Sequence, residues 1–302
     1  MSSNRLPVAV LGATGAVGQT FIRLLAGHPW FRLAEVAASD RSAGKRYADA
    51  TKWIEGVMPE EVKDLVVTTC DPESVTSPIV FSAMDAAAAA DVEPAFAKAG
   101  RFVLSNTKTF RMHEDVPLVI PEVNASHYAL LDTQKAKGWS GGVITNANCA
   151  ATVAAMALAP LHAKYELTEL FMATMQAVSG AGYPGVPSLD ILGNVIPYIG
   201  DEEPKLEREM QKMLGTVSGG RIADAGFVVS AHANRVPVEH GHTVVLSAKF
   251  RTKPSVQDAI ETMRAWRGEA IVAGAPSAPE FPLVVTDDPA RPQPRREIRG
   301  RG

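Results

Sequence analysis

The chain has 302 residues, of which 46% are hydrophobic and 21% charged, and its 30 basic and 33 acidic residues leave a net charge of −3. This length points to two domains rather than one core, and the charge balance excludes a strong field for nucleic acid or an anionic membrane. Two cysteines, Cys70 and Cys149, exclude a disulfide framework, and no stretch reads as a signal peptide or membrane span, so a cytoplasmic chain with reduced thiols is expected.

In the first half, β-rich runs alternate with helical stretches. Pro7 to Leu11 reads as a buried strand and Ala16 to Ala26 as the helix after it. Between them lies Gly12-Ala13-Thr14-Gly15-Ala16-Val17-Gly18. Its glycine spacing suits a tight turn, backbone approach to a pyrophosphate and close helix–strand packing, and the helix start offers N–H groups and partial positive charge to the anion. Gly12, Thr14, Gly15, Ala16 and Val17 are therefore candidate cofactor-binding residues. Leu33 to Ala38 is a second strand, ending in Ser39-Asp40-Arg41-Ser42-Ala43-Gly44-Lys45. Ser39, Arg41 and Ser42, with Lys45 nearby, suit the 2′-phosphate of NADP, because guanidinium pairs well with phosphate oxygens. Asp40 opposes that reading unless it points to solvent.

Ile79 to Ala83 is a third strand, followed by an alanine-rich helix from Ala86 to Ala99 that ends at Gly100; Phe102 to Ser105 and Val143 to Thr145 are further apolar runs. This alternation predicts an α/β fold with a parallel sheet, a Rossmann-type NADP-binding domain over residues 1–148. From 149 to 302 the texture changes. A long apolar helix, Ala150 to Ala163, is bent or ended by Pro160. Strand-like runs follow at Glu166 to Val178, Gly226 to Ala231 and Thr243 to Phe250. Helical segments are expected at Ser188 to Tyr198, Glu203 to Leu214 and Ser255 to Trp266, and Asp288 to Gly302 reads as exposed loop. Together these predict an α+β second domain on a mainly antiparallel sheet.

Cys149, in Asn146-Ala147-Asn148-Cys149-Ala150-Ala151-Thr152, stands where a strand ends and the long helix begins, and the helix N-terminal field there favours a nucleophilic thiolate. Cys70 reads as a small buried hydrophobe. A nucleophilic thiol needs a base, and three of the seven histidines cluster in the segment 232–242. Spacing does not choose among them. His240 and His242 are two apart, as on one face of a strand, but no ligand set for a metal surrounds them.

With GATGAVG, SDRSAGK, SNTKTFRM, IPEVN, NANCAAT, QAVSGAGYPG and NRVPVEHGHT in order from Val8 to about Lys249, the chain resembles aspartate-semialdehyde dehydrogenases of the archaeal and fungal branch. The resemblance implies a glyceraldehyde-3-phosphate-dehydrogenase-like pairing of domains. It implies NADPH-dependent conversion of L-aspartyl-4-phosphate to L-aspartate-4-semialdehyde, on the way to lysine, threonine, methionine and isoleucine. It makes Cys149 the catalytic thiol, His242 the acid/base and Gln176 the residue that places substrate beside the thiol. Arg235 would grip the α-carboxylate, Glu202 the amino group, and Lys205, Asn106 and Arg111 the phosphate. Ser179 and Gly180 would touch the nicotinamide side of NADP(H). The partners implied are these small molecules and further copies of the chain, as a homodimer or homotetramer, with no metal. After Phe250 the resemblance thins, so the family's last strand and returning helix are expected to be missing. Two other readings are an acyl reductase for N-acetylglutamyl phosphate or a malonyl thioester, and an NADP-binding protein without turnover.

Overall fold

The computed structural model describes residues 5–298. Of the C-terminal segment expected as loop, 299–302 lie outside the described residues, and the rest holds one short helix, Pro294–Glu297, beside an Arg291–Glu297 ion pair of 2.6 Å. The chain divides into two compact units. The first runs through Leu118 and adds Tyr128–Asn146 and Gly219–Arg221; the second comprises Val119–His127, Ala147–Ser218 and the chain from Ile222. Val119–His127 lies before residue 148 yet belongs with the second unit. There Asn124 Nδ2 donates to the Met213 carbonyl at 3.0 Å, and His127 Nε2 lies 3.1 Å from the Gly215 carbonyl.

In the first unit, strands β1 (Leu6–Leu11), β2 (Phe31–Ala38), β3 (Val67–Thr69), β4 (Ile79–Ser82), β5 (Phe102–Ser105), β6 (Leu118–Val119) and β7 (Gly142–Asn146) form one sheet in the order β3-β2-β1-β4-β5-β7-β6. The pairs from β3 across to β7 are parallel. The sheet is covered on both faces, so its strands read as continuous apolar runs rather than alternating ones. Ala9, Leu11, Val80 and Val103 pack with Phe96 of the helix Ala86–Lys98. Val8, Val10 and Val36 pack with Ile22 and Leu25 of the helix Ala16–Leu25. Each large apolar side chain so buried contributes roughly 1.5–3 kcal/mol. The short β3 was not anticipated, because it is only three residues long and two of them are threonines.

The second unit is built on β8 (Leu167–Gln176), paired in parallel with β9 (Val228–Arg235) and antiparallel with β10 (Thr243–Phe250), so the sheet is mixed. One side of β8 is buried at Leu170, Met172 and Thr174, while Phe171 on the other is exposed. The outer edge of β9 is covered by the helix Glu202–Met213, whose Glu203 and Glu207 carboxylates accept the Ala233 and Ala231 N–H groups. Three local expectations are corrected. Pro160 does not end the helix Cys149–Tyr165, because packing of Leu158 and Leu161 outweighs one lost backbone bond. Ser188 to Tyr198 is helical only at Ser188–Ile191, and Ile196 is instead bridged in both directions to Arg235. β9 runs on to Arg235, four residues past the predicted Ala231.

Candidate active site

The first unit carries the cofactor cradle. Gly12 has φ +72°, and a Cβ there would lie 2.6 Å from the Ala83 carbonyl oxygen. A Cβ on Gly18 would lie 2.3 Å from the Gly12 carbonyl oxygen, so both glycines are required by close backbone approach. Gln19 and Tyr47 pin the turn: Gln19 Nε2 donates to the Thr14 carbonyl at 3.0 Å, and Tyr47 Oη donates to the Ala13 carbonyl at 2.8 Å. Burial pushes the Tyr47 hydroxyl up to about 12, which keeps it a donor.

Beside this turn opens a cavity of ≈ 670 Å³. Gly12, Thr14, Gly15, Ser39 and Arg41 line it, and Arg41 is the one basic side chain in its wall. Ala16 and Val17 begin the helix and are not part of the wall; nor are Ser42 and Lys45. Ser42 closes a turn through its N–H to the Ser39 carbonyl at 2.8 Å, and Lys45 is tied by its backbone to Val67. Asp40 does line the cavity, as do Asp71 and Asp85, so Arg41 works against nearby carboxylates. Cys70 is half-buried in the same wall, with its thiol 3.7 Å from the Ala38 carbonyl, and burial pushes that thiol up. Cys70 packs against the core cluster around Phe96, as a small hydrophobe would, but that reading missed its place in this wall, because β3 was not seen in the sequence. The glycine cradle, the helix start and Arg41 fit a dinucleotide with a phosphorylated ribose.

The second unit carries the thiol. Cys149 is exposed at the first position of its helix, so the sulfur sits at the positive end of the helix dipole. Asn148 caps that helix: its Oδ1 accepts the Ala150 and Ala151 N–H groups at 2.9 and 3.1 Å. Its Nδ2 donates to Glu202 Oε1 at 2.6 Å, and its own N–H goes to the buried Glu209. His242 Nε2 lies 3.0 Å from Cys149 Sγ, and His242 Nδ1 accepts the Ala177 N–H at 3.1 Å. Burial and then the Arg235 charge press the imidazole below its ordinary pKa, with Glu202 opposing. His240 and His242 lie in the loop before β10 rather than on a strand face, and His240 pairs with Glu239 at 3.7 Å. Among the described residues no group of three or more His, Cys, Asp or Glu side chains is placed to hold a metal.

Register explains how Arg235 and Gln176 meet. They are opposite one another where parallel β8 and β9 end, and both are buried. Arg235 Nη1 donates to the Ala177 carbonyl at 2.8 Å, and burial lowers its pKa against the pull of Glu202 and Cys149. Gln176 Nε2 donates to Glu202 Oε1 at 3.1 Å, and Lys205 Nζ lies 3.4 Å from Glu202 Oε2. For Glu202, burial acts to raise the pKa, but hydrogen bonds from Asn148 and Gln176 and the Lys205 charge outweigh it, so the carboxylate is ionised. Gly180, on the turn Val178–Ala181 with Ser179, sits against two of these side chains: a Cβ there would lie 2.8 Å from Arg235 Nη1 and 3.2 Å from His242 Cε1. Asn106 and Arg111 belong to the first unit, where Arg111 Nη2 donates to the Asn106 carbonyl at 3.1 Å. Asn148 and Glu209 escaped the sequence reading. Asn148 was detectable as an asparagine directly before a helix; Glu209 left no local signal.

A thiol at a helix start, an imidazole within reach, and a guanidinium beside a carboxylate make a site for covalent acyl chemistry on a zwitterionic substrate. Residues 7–131 match the family model described as "Semialdehyde dehydrogenase, NAD binding domain", and residues 158–301 match "Semialdehyde dehydrogenase, dimerisation domain". The second match reaches residue 301, so the likeness does not thin after Phe250 as expected. The chain is 46% identical to the aspartate-semialdehyde dehydrogenase of Archaeoglobus fulgidus over 293 residues, covering 96% of this chain and 84% of that protein. It is 44% identical to that of Schizosaccharomyces pombe, covering 95% and 84%. The fold is similar to a crystal structure of aspartate-semialdehyde dehydrogenase with NADP from Candida albicans, at TM-score 0.89 and 40% identity, covering 97% of this chain and 85% of that one.

Proposed function

The chain belongs to the aspartate-semialdehyde dehydrogenase family, and on that premise we propose how its residues divide the conversion of L-aspartyl-4-phosphate to L-aspartate-4-semialdehyde. It is an NADP-dependent oxidoreductase of amino-acid biosynthesis. The observation that carries the reading is the 3.0 Å approach of His242 Nε2 to Cys149 Sγ at the start of a capped helix.

The Cys149 sulfur attacks the acyl carbon, the carbon–oxygen bond to phosphate breaks, and a thioester forms on Cys149. NADPH, held by the Gly12–Gly18 turn with Ser39 and Arg41, supplies hydride when bound. Once the acyl carbon is reduced, the tetrahedral alkoxide on Cys149 would reform the carbonyl, break the carbon–sulfur bond and release the aldehyde, the electron pair returning to sulfur as a thiolate that accepts a hydrogen bond from His242 Nε2–H. Arg235 binds the α-carboxylate with the part of its fork not used on Ala177. Glu202 Oε2 receives the α-ammonium group, sharing it with Lys205, and Gln176 orients the acyl group. The family resemblance assigns Lys205, Asn106 and Arg111 to the phosphate, and Ser179 and Gly180 to the nicotinamide side of the cofactor. Glu202 beside Arg235 favours an amino-acid substrate over a malonyl thioester, which would leave the carboxylate without an amine.

The open face of the second sheet, with Phe171 42% and Val245 52% exposed, supports self-association of this chain as a dimer. The first experiment follows absorbance with aspartate semialdehyde, NADP and phosphate, beside Cys149→Ala. Phosphate-dependent reduction of NADP that vanishes in Cys149→Ala is the expected result. Reduction that persists in Cys149→Ala would remove the thiol from the mechanism.

A further inference from the structure

Glu93 is fully buried in the helix Ala86–Lys98, within the first unit. An uncompensated carboxylate there would be strongly disfavoured. Among the described residues no cation acts on it: burial raises its pKa, and the hydroxyls of Ser82, Ser105 and Thr107 oppose that. Ser105 Oγ donates to Glu93 Oε1 at 2.7 Å, and Thr107 Oγ1 lies 3.5 Å from the same oxygen. Ser105 Oγ in turn accepts the Thr107 N–H at 3.1 Å. Glu93 Oε2 and Ser82 Oγ are both buried, and neither has a hydrogen-bond partner of good geometry. A neutral carboxylic acid has one donor and one acceptor, which suits a hydroxyl donor on Oε1 and an acceptor hydroxyl near Oε2.

The hydroxyls come from strand ends that matter. Ser82 ends β4 and Ser105 ends β5, opposite one another in register. Beyond Ser82 the chain enters the cofactor cavity wall at Ala83 and Met84. Beyond Ser105 comes Asn106, whose N–H donates to the Ser82 carbonyl at 2.9 Å and whose carbonyl accepts from Arg111.

We infer that Glu93 is a positioning residue that ties the cofactor-side strand end at Ser82 to the segment Ser105–Thr107 and thereby sets Asn106 for phosphate. It acts as a neutral acid and touches neither substrate nor cofactor. The phosphate half of the inference rests on the proposed role of Asn106; the cofactor half does not.

The test uses the full chain in the phosphate-dependent direction, with Glu93→Leu, Glu93→Gln and Asn106→Ala, and titrates NADP separately. Glu93→Leu is expected to raise KM for phosphate about tenfold and Kd for NADP severalfold while kcat holds within about threefold, since a small misplacement weakens binding steeply. Glu93→Gln keeps an acceptor oxygen for the Ser105 hydroxyl and a donor nitrogen in place of the acid O–H, so both constants are expected within about twofold of the parent. Glu93→Leu at parental KM and Kd, with only a lowered Tm, would overturn the inference and leave Glu93 a core group. Glu93→Gln as impaired as Glu93→Leu would overturn the neutral acid. If Asn106→Ala leaves KM for phosphate unchanged, the phosphate reading fails, and the NADP titration of Glu93→Leu still decides the tie. Should Glu93→Leu not fold, Ser105→Ala removes the donor to Oε1 and is expected to shift both constants the same way; parental constants there would overturn the inference.

Discussion

His242 holds its Nε2 atom 3.0 Å from the Cys149 sulfur while its other ring nitrogen already accepts the Ala177 N–H. A nitrogen that accepts carries no proton, so the neutral ring bears its hydrogen on Nε2, directed at sulfur. Forming the imidazolium would place a proton on Nδ1 against the Ala177 N–H, the same direction in which burial and Arg235 press the pKa. In the proposed mechanism His242 would thus stabilise sulfur as it leaves, and it charges only against burial and the Arg235 charge.

The acid limb of kcat/KM should accordingly fall below the ordinary histidine value of about 6.5. Because the pKa is lowered, His242 stays neutral as pH drops through 6.5, and activity is lost only as pH falls through the lower value. A pH–rate profile breaking at or above 6.5 would contradict this assignment.

Gly180→Ala should cripple the site without unfolding the protein. The added methyl would meet Arg235 Nη1 at 2.8 Å and the His242 ring at 3.2 Å, and Gly180 needs no left-handed backbone. Displacing either group by a fraction of an ångström predicts a loss in kcat/KM of about 10- to 100-fold with little change in Tm. Steady-state kinetics beside thermal melting separates the two effects.

Gly12→Ala should act on cofactor and fold together. At φ +72° and 2.6 Å from the Ala83 carbonyl, the methyl is opposed by both backbone conformation and space. A loss of more than about 1 kcal/mol in unfolding free energy is expected, with weaker NADP binding. Urea denaturation and NADP titration check it; parental values in both would show that the turn relaxes freely.

Asn148→Ala removes a helix cap and the 2.6 Å hydrogen bond to Glu202 at once. The cap alone is worth about 1 kcal/mol. With Glu202 less well held, KM for aspartate semialdehyde should rise as well. Asn148→Asp would keep the cap but set a carboxylate against Glu202, so it should recover stability more than KM.

What was legible before folding was local. The glycine turn could be read because Gly12 and Gly18 answer to backbone geometry within a few residues, and Cys149 could be placed because a helix start is a local event. The helix expected at Ser188 to Tyr198 failed because Ile196 found its backbone partners at Arg235, a contact that propensity does not see.

The sequence by itself determined the alternation of strands and helices, the phosphate-binding turn and the thiol at the head of a helix. Through its motifs it also determined the family to which the residues pointed. Spacing alone left the histidine open, the family resemblance pointed to His242, and the tertiary structure sets its Nε2 at 3.0 Å from the thiol; only the tertiary structure showed that Gln176 and Arg235 end adjacent strands and that Asn148 links Cys149's helix to Glu202. It alone put Cys70 in the cofactor wall and buried Glu93 among three hydroxyls. The physical reason is that strand register and helix packing join residues tens of positions apart, and no local preference encodes which distant partner a side chain will meet.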